Sequence, residues 1–436
     1  MLKRILGLIN SSDLHRRVAT GAFWSVVGSS VAKMLVLVAG IICANILGKS
    51  AYGELGLIRS TINMFVIFGT AGMGITATKY ISQFRSSDKS EVARIFSVAS
   101  LFTTVAAFVV SVAVVLFAGQ LADKALDAPY LSGSIRFAAL LLFVTILNST
   151  YQGTLSGYED FKRISINTFI SSLIEAVLVI LGALFYGVSG ALVGYGVGIA
   201  FMTALNCRSV IKRFADEGVK VSYRSLSPKD FKILTQFSIP AALSSFLVVP
   251  SYWVVRTMIA RYSGFSELGI YEAADQWRVI ILFIPAALSN IILPILSSYI
   301  GTDETSTYKR ALKMNISLNV GVSSVMAIAV SLLSRLILKS YGPGFDAPIV
   351  LIFLACSTVF SAFATVVGMS IVSQGKTWIG LLFNLVWALM FVAFSYMSLQ
   401  AGYGASGVAF SLMTAYLLHG IFQFIYLKCT ILRTNS

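Results

Sequence analysis

From about residue 18 to about residue 427 the chain is a succession of apolar stretches of roughly 20 residues, each closed by a short cluster of Gly, Ser, Asp, Lys or Arg. Within a stretch the apolar positions are continuous and do not alternate with polar ones. This pattern predicts helices, which satisfy their own backbone hydrogen bonds in hydrocarbon, and excludes a membrane β-barrel, whose strands alternate. The stretches are twelve: about 18–46, 55–80, 92–118, 133–156, 163–186, 189–211, 231–258, 269–299, 310–335, 348–372, 377–399 and 404–427.

The same chain also repeats itself. Tyr186-Gly-Val-Ser-Gly-Ala191 returns as Tyr403-Gly-Ala-Ser-Gly-Val408, an offset of 217, and Glu54-Leu-Gly56 returns as Glu267-Leu-Gly269, an offset of 213. Twelve stretches and a repeat of that length predict an all-α integral membrane protein with twelve transmembrane helices in two pseudo-symmetric six-helix bundles. Six is even, so the two halves enter the bilayer from the same side, a plan used by transporters. The expected organisation is an interfacial segment at 1–17, an N-terminal bundle at 18–213, a charged linker at 214–230, a C-terminal bundle at 231–428 and a tail at 429–436.

Composition supports the membrane reading, with 57% hydrophobic and 12% charged residues, against about 25% charged in soluble domains. The formal charge of +15 suggests a polynucleotide partner until its distribution is mapped. With the N-terminus placed in the cytoplasm, 23 of the 33 Lys and Arg residues fall on inner loops and ends, and only Lys49, Lys124, Arg136, Arg261, Arg335 and Lys339 fall outside. That is the positive-inside bias, which predicts both termini in the cytoplasm and no nucleic-acid partner. Met1 to Asn10, with Lys3 and Arg4 among leucines and isoleucines, is expected to lie on the inner surface as an amphipathic helix. Cys43, Cys207, Cys356 and Cys429 are too scattered to suggest a disulfide framework or a metal site.

Ionisable residues inside the stretches carry the functional signal, because each costs about 2.5 to 3.5 kcal/mol at the bilayer centre unless it meets a partner or water. Lys33 lies about 15 residues from either end of its stretch, roughly 22 Å of helix, too deep to snorkel. It is read as a cavity-facing cation, with Arg59, Arg256 and Arg278 as further candidates for binding an anionic cargo. Glu272, Asp275, Gln276 and Arg278 follow each other at helical spacing, so Asp275 and Arg278 can pair. The offset of 213 maps Arg59 onto Glu272, and the two are expected to close an outer gate between the halves. Glu175, Asp275 and His419 are the candidates for ion coupling, with H+ or Na+ as the ion and no other cofactor. Scattered polar side chains such as Asn63, Gln152, Asn167 and Asn290 are the candidates for sugar contacts. No nucleophile with a base, metal-ligand spacing or phosphate-cradling glycine loop is present, and a catalytic role is not expected.

Gly21-Ala-Phe-Trp-Ser25, the passage Asn45 to Gly56, Gly157-Tyr-Glu-Asp-Phe161 and Tyr186-Gly-Val-Ser-Gly-Ala191 together resemble polysaccharide repeat-unit flippases of the O-antigen transporter type. Those belong to the multidrug, oligosaccharidyl-lipid and polysaccharide exporter superfamily. The resemblance implies alternating access, residence in a bacterial inner membrane, and a lipid-linked oligosaccharide moved from the inner to the outer leaflet. It also implies a cationic cavity for the pyrophosphate and sugar head, membrane lipids around the tail, and polysaccharide polymerase or chain-length machinery as protein partners. The rival readings are a multidrug exporter of the same superfamily and, from another class, a membrane glycan polymerase or glycosyltransferase. Four intramembrane cations against the three carboxylates Glu175, Glu272 and Asp275 lean towards an anionic cargo. Outer loops of no more than roughly 15 residues leave a polymerase no place to hold an acceptor.

Overall fold

Apolar stretches that must satisfy their own backbone fold into long helices, and a computed structural model describes them over residues 13–223, 232, 237–238, 242–243, 245–298 and 305–431. The interfacial segment expected at 1–17, the linker at 214–230 and the tail at 429–436 lie partly outside the described residues. In chain order the helices are α1 (Asp13–Thr70), α2 (Met73–Phe84), α3 (Lys89–Gln120), α4 (Ser132–Gly157), α5 (Phe161–Glu217), α6 (Ser245–Ser263) and α7 (Phe265–Ser298), followed by α8 (Thr305–Leu332), α9 (Ser334–Lys339), α10 (Pro348–Ser373), α11 (Thr377–Gln400) and α12 (Gly404–Tyr426). Among the described residues the fold is all helical, and eight helices are long and apolar enough to cross a membrane. Two of these eight, α1 and α5, are bent pairs that cross twice, and the charge-bearing α6 and α7 complete the twelve expected helices.

The bends fall on glycines because the chain there takes a left-handed conformation that a Cβ disfavours. Gly48 in α1 has φ 74° and Gly187 in α5 has φ 60°. Gly187 and Gly404 hold equivalent places in the repeated Tyr-Gly-X-Ser-Gly motif, and Gly404 is also left-handed at φ 53°. The motif is thus a turn between consecutive crossings. In the second copy, the Glu267 carboxylate of the other repeated motif accepts a hydrogen bond from the Ala405 N–H at 2.9 Å. It caps the positive end of α12 and ties the two motifs together.

The chain divides into two compact units. The first comprises Met1–Ala39 and Thr61–Leu243, the second Gly40–Ser60 and Ser244–Ser436. In the first unit, α2 to α5 pack around Ala77, Ile81, Phe96, Leu155, Tyr158, Val210 and Phe214, with Phe96 and Phe214 edge to face at 4.9 Å. The Gly157-Tyr-Glu-Asp-Phe161 loop seals this end. Arg85 pairs with Glu159 at 2.5 Å and donates to the Gly157 carbonyl at 3.1 Å, Asp160 accepts from the Arg163 N–H, and Arg213 stacks over Tyr158 at 4.9 Å. Burial, with Glu217 beside it, pushes the Tyr158 phenol above its ordinary range. On the neighbouring loop Asp88 caps α3, and hydrogen bonds from the Ser90 side chain and the Glu91 backbone hold its carboxyl below the usual range.

In the second unit α10 packs against α7, α8 and α12, and one core joins Leu312, Val366, Val367, Ile371 and Leu427. The hairpin Gly40–Ser60 belongs here although it lies in the first repeat. It crosses α7 where side chains are missing: a Cβ on Gly53 would collide with the Phe265 backbone, and one on Gly269 with the Lys49 backbone. Small residues allow such close backbone approach. Gly53→Leu is expected to force the two helices apart at about 1–3 kcal/mol, read as a lower melting temperature of the purified protein, whereas Gly119→Leu, where a Cβ meets only open space, leaves it unchanged.

Candidate functional site

Helical spacing places Tyr252 and Arg256 one turn apart on α6, and Glu272, Asp275 and Arg278 along one side of α7. The packing of α6 on α7 brings these side chains into one cluster inside the second unit. Arg256 Nε donates to Glu272 Oε1 at 2.5 Å and its Nη2 to Asp275 Oδ2 at 2.8 Å. Asp275 Oδ1 accepts from Arg278 Nε, and Arg278 Nη1 donates to the Tyr252 hydroxyl at 3.2 Å. The four charged side chains are only 7% to 16% exposed. Two cations and two anions sum to zero, and a neutral, hydrogen-bonded cluster is far cheaper to bury than any of its members alone.

Aromatic rings hold the arginines from below. The Arg256 guanidinium lies 5.8 Å from the Tyr252 ring centre and 5.6 Å from that of Tyr271, and Arg278 lies 5.0 Å from Tyr252. Tyr252 is itself fixed by a 3.0 Å hydrogen bond to Tyr416 on α12 and by ring contacts with Trp387 and Phe391 on α11. Buried tyrosines supply a cation–π face and a polar tip together. Sequence reasoning passed over Tyr252, Tyr271 and Tyr416, although tyrosines far from the expected membrane interfaces are a readable signal that a hydroxyl partner is needed.

A second network on α7 is uncharged. Gln276 Nε2 donates to the Tyr52 hydroxyl at 2.6 Å, Tyr341 donates to Gln276 Oε1 at 3.0 Å, and Trp277 Nε1 donates to Tyr341 at 3.1 Å. Tyr52, Tyr341 and Phe345 stack edge to face or tilted within 6.5 Å of one another, and Asn45 donates to the Ser340 carbonyl. This ladder fastens the Gly40–Ser60 hairpin to α7 and to the loop before α10.

The expected site residues are thus distributed unevenly. Arg256, Glu272, Asp275 and Arg278 come together, with Arg59 within electrostatic reach of Glu272. Arg59 and Glu272 both lie in the second unit, where Glu272 also accepts from Arg256 Nε. His419 sits one turn along α12 from Tyr416, buried, hydrogen-bonded to the Phe383 backbone and edge-on to its ring at 6.4 Å. Lys33 and Glu175 lie in the first unit, both half-buried, and Glu175 packs on Gly198 where α5 folds back on itself. Asn167 spends its amide on Asn206 at 2.8 Å and Ser209 at 3.1 Å, and Asn206 continues the chain to Asn148 at 2.9 Å. The Asn290 side chain lies outside the described residues. Among the described residues no His, Cys, Asp and Glu group could hold a metal ion.

A polysaccharide biosynthesis protein profile matches residues 18–300. The chain belongs to this family. A MatE profile also matches residues 240–397. Among curated proteins, the EPS I polysaccharide export inner membrane protein EpsE of Ralstonia solanacearum is 22% identical, with 92% of each chain covered. The lipid III flippase of Escherichia coli K12 is also 22% identical, over 64% of this chain and 67% of its own. Among solved structures, a multidrug resistance MATE family transporter of the MOP superfamily in an inward-facing conformation superposes with a TM-score of 0.78 at 17% identity, over 91% of this chain and 94% of that one. The last likeness shows the fold, and the whole agrees with the resemblance carried by the flippase-like motifs. The family member is a multi-pass membrane transporter, not an enzyme.

Removing one charge from the cluster strands its partners. Arg256→Gln leaves Glu272 and Asp275 short of their shared cation and is expected to cost about 3–5 kcal/mol, seen as a large drop in melting temperature. Tyr52→Phe leaves the half-buried Gln276 amide without its acceptor at about 1 kcal/mol, a smaller drop in the same measurement.

Proposed function

We propose that this transporter moves a polyprenyl-pyrophosphate-linked oligosaccharide from the inner to the outer leaflet of a bacterial cytoplasmic membrane by alternating access, with both termini in the cytoplasm. The observation that carries the reading is a pair of buried, aromatic-seated arginines in a chain that matches a polysaccharide export protein over nine tenths of its length. A diphosphate crossing bare hydrocarbon loses its hydration at a cost of many kcal/mol, and fixed guanidinium groups replace that hydration. Lys33 in the first unit and Arg59, Arg256 and Arg278 in the second are the cations proposed to serve the head group. Glu175, Asp275 and His419 are proposed to couple the cycle to H+ or Na+. Arg59 and Glu272, together with the Tyr52–Gln276–Tyr341 ladder, are proposed to keep the outer side closed until the cargo is seated. Polysaccharide polymerase or chain-length machinery would receive the product.

A second reading, export of organic cations, is favoured by the carboxylates Glu272 and Asp275 and by the MatE match over 240–397. The two readings part in a reconstituted vesicle assay. Inner-to-outer movement of a lipid-linked oligosaccharide is expected for the wild-type protein and should fall at least about tenfold, or roughly 1.4 kcal/mol, in Lys33→Gln and Arg278→Gln. Unchanged movement in both variants rejects these residues as the site, and movement of an organic cation alone establishes the second reading.

A further inference from the structure

Asp275 occupies an unusual place in the cluster. Its two oxygens are divided between two cations, Oδ2 accepting from Arg256 Nη2 at 2.8 Å and Oδ1 from Arg278 Nε. Guanidinium groups recognise carboxylate and phosphate oxygens through the same donor fork. A carboxylate that bridges two arginines therefore fills the place where a phosphoryl group would bridge them.

The arginines do not depend on Asp275 alone for their positions. Tyr252 lies beneath both guanidinium groups, its hydroxyl accepts from Arg278, and its carbonyl accepts from Arg256 Nη1 at 3.4 Å. Tyr271 supports Arg256 from another side, and Tyr416, Trp387 and Phe391 hold Tyr252. With Asp275 withdrawn, two cations would remain seated on aromatic faces, opposed among the described residues by Glu272, whose charge Arg59 also shares. Such a site is positively charged, preorganised and short of one bridging anion.

We infer that Asp275 is a resident counter-anion, which fills the two-arginine site in the empty protein and is displaced from Arg256 and Arg278 by a diphosphate group. The inference rests on the reading of the cargo as a lipid-linked diphosphate. Its physical consequence is competition: Asp275 keeps the empty cluster neutral and so tolerable in the membrane, and the same contact weakens apparent binding by the fraction of time the site is occupied from within. Asp275 is then a specificity-determining residue, because only an anion able to bridge both guanidinium groups replaces what it supplies.

The test measures binding of farnesyl diphosphate and of inorganic pyrophosphate to the full-length protein in nanodiscs by calorimetry, with melting temperatures recorded with and without each compound. Asp275→Asn is expected to bind about tenfold more tightly than wild type, equivalent to about 1.4 kcal/mol. It should melt lower when empty and be rescued more strongly by diphosphate. Adding Arg278→Gln to Asp275→Asn should erase the gain. Glu272→Gln frees Arg256 Nε while leaving the Asp275–Arg278 pair intact, and its smaller gain serves as the measure if Asp275→Asn does not fold. An equal gain for both compounds supports displacement by phosphate chemistry alone, and a gain confined to farnesyl diphosphate supports displacement by a lipid-borne diphosphate. Wild-type binding with no gain in either acid variant overturns the counter-anion role and leaves the anionic-cargo reading standing. Failure of every form to bind either compound overturns both.

Discussion

The second unit is organised around the bridging of Arg256 and Arg278 by Asp275. Hydrocarbon tolerates a guanidinium only beside a counter-charge or water, and here the counter-charge comes from one and two turns along α7. Once the cations are seated, the surrounding aromatic choices follow. Tyr252 serves two arginines with one ring, and Tyr416, Trp387 and Phe391 have to come from α11 and α12 to hold it. Four helices are thereby fastened to one electrostatic centre, so a disturbance of any charge in it reaches the whole unit.

The Gly40–Ser60 hairpin is held by different means. The Gly40–Ser60 segment meets α7 through bare backbone at Gly53 and Gly269, and through the neutral Tyr52–Gln276–Tyr341 hydrogen bonds. Neutral hydrogen bonds contribute about 0.5–1.5 kcal/mol each net, well below the cost of breaking a buried ion pair. Arginines that stay seated on aromatic rings beside a hairpin fastened by weaker bonds suit a transporter, in which part of a contact must open repeatedly while the cations keep their places. The repeated Glu-Leu-Gly and Tyr-Gly-X-Ser-Gly motifs belong to this framework, for Glu267 caps α12 and Gly187 and Gly404 make equivalent turns. Their recurrence reflects duplicated architecture rather than duplicated chemistry.

Much of the fold was legible in the chain itself because its causes are local. Continuous apolar runs dictate helices, and glycines such as Gly48 and Gly187 permit the turns between them. The pairing of Asp275 with Arg278 was legible for the same reason, being a matter of three residues on one helix. The contact of Glu272 with Arg256 was not. A repeat offset pointed to Arg59, which lies within electrostatic reach of Glu272, and left unread the hydrogen bond that Arg256 donates from sixteen residues away on the preceding helix.

The sequence by itself therefore determined an all-helical, duplicated membrane transporter and the set of charges it must bury, since hydrophobic periodicity and insertion cost act along the chain. Only the tertiary structure decided which charges meet, that Tyr252 carries two of them, and that Gly40–Ser60 packs with the second unit. Those outcomes depend on which helix faces which at a separation of a few ångströms, and side-chain hydrogen bonds between distant residues leave no periodic trace in the residues that make them.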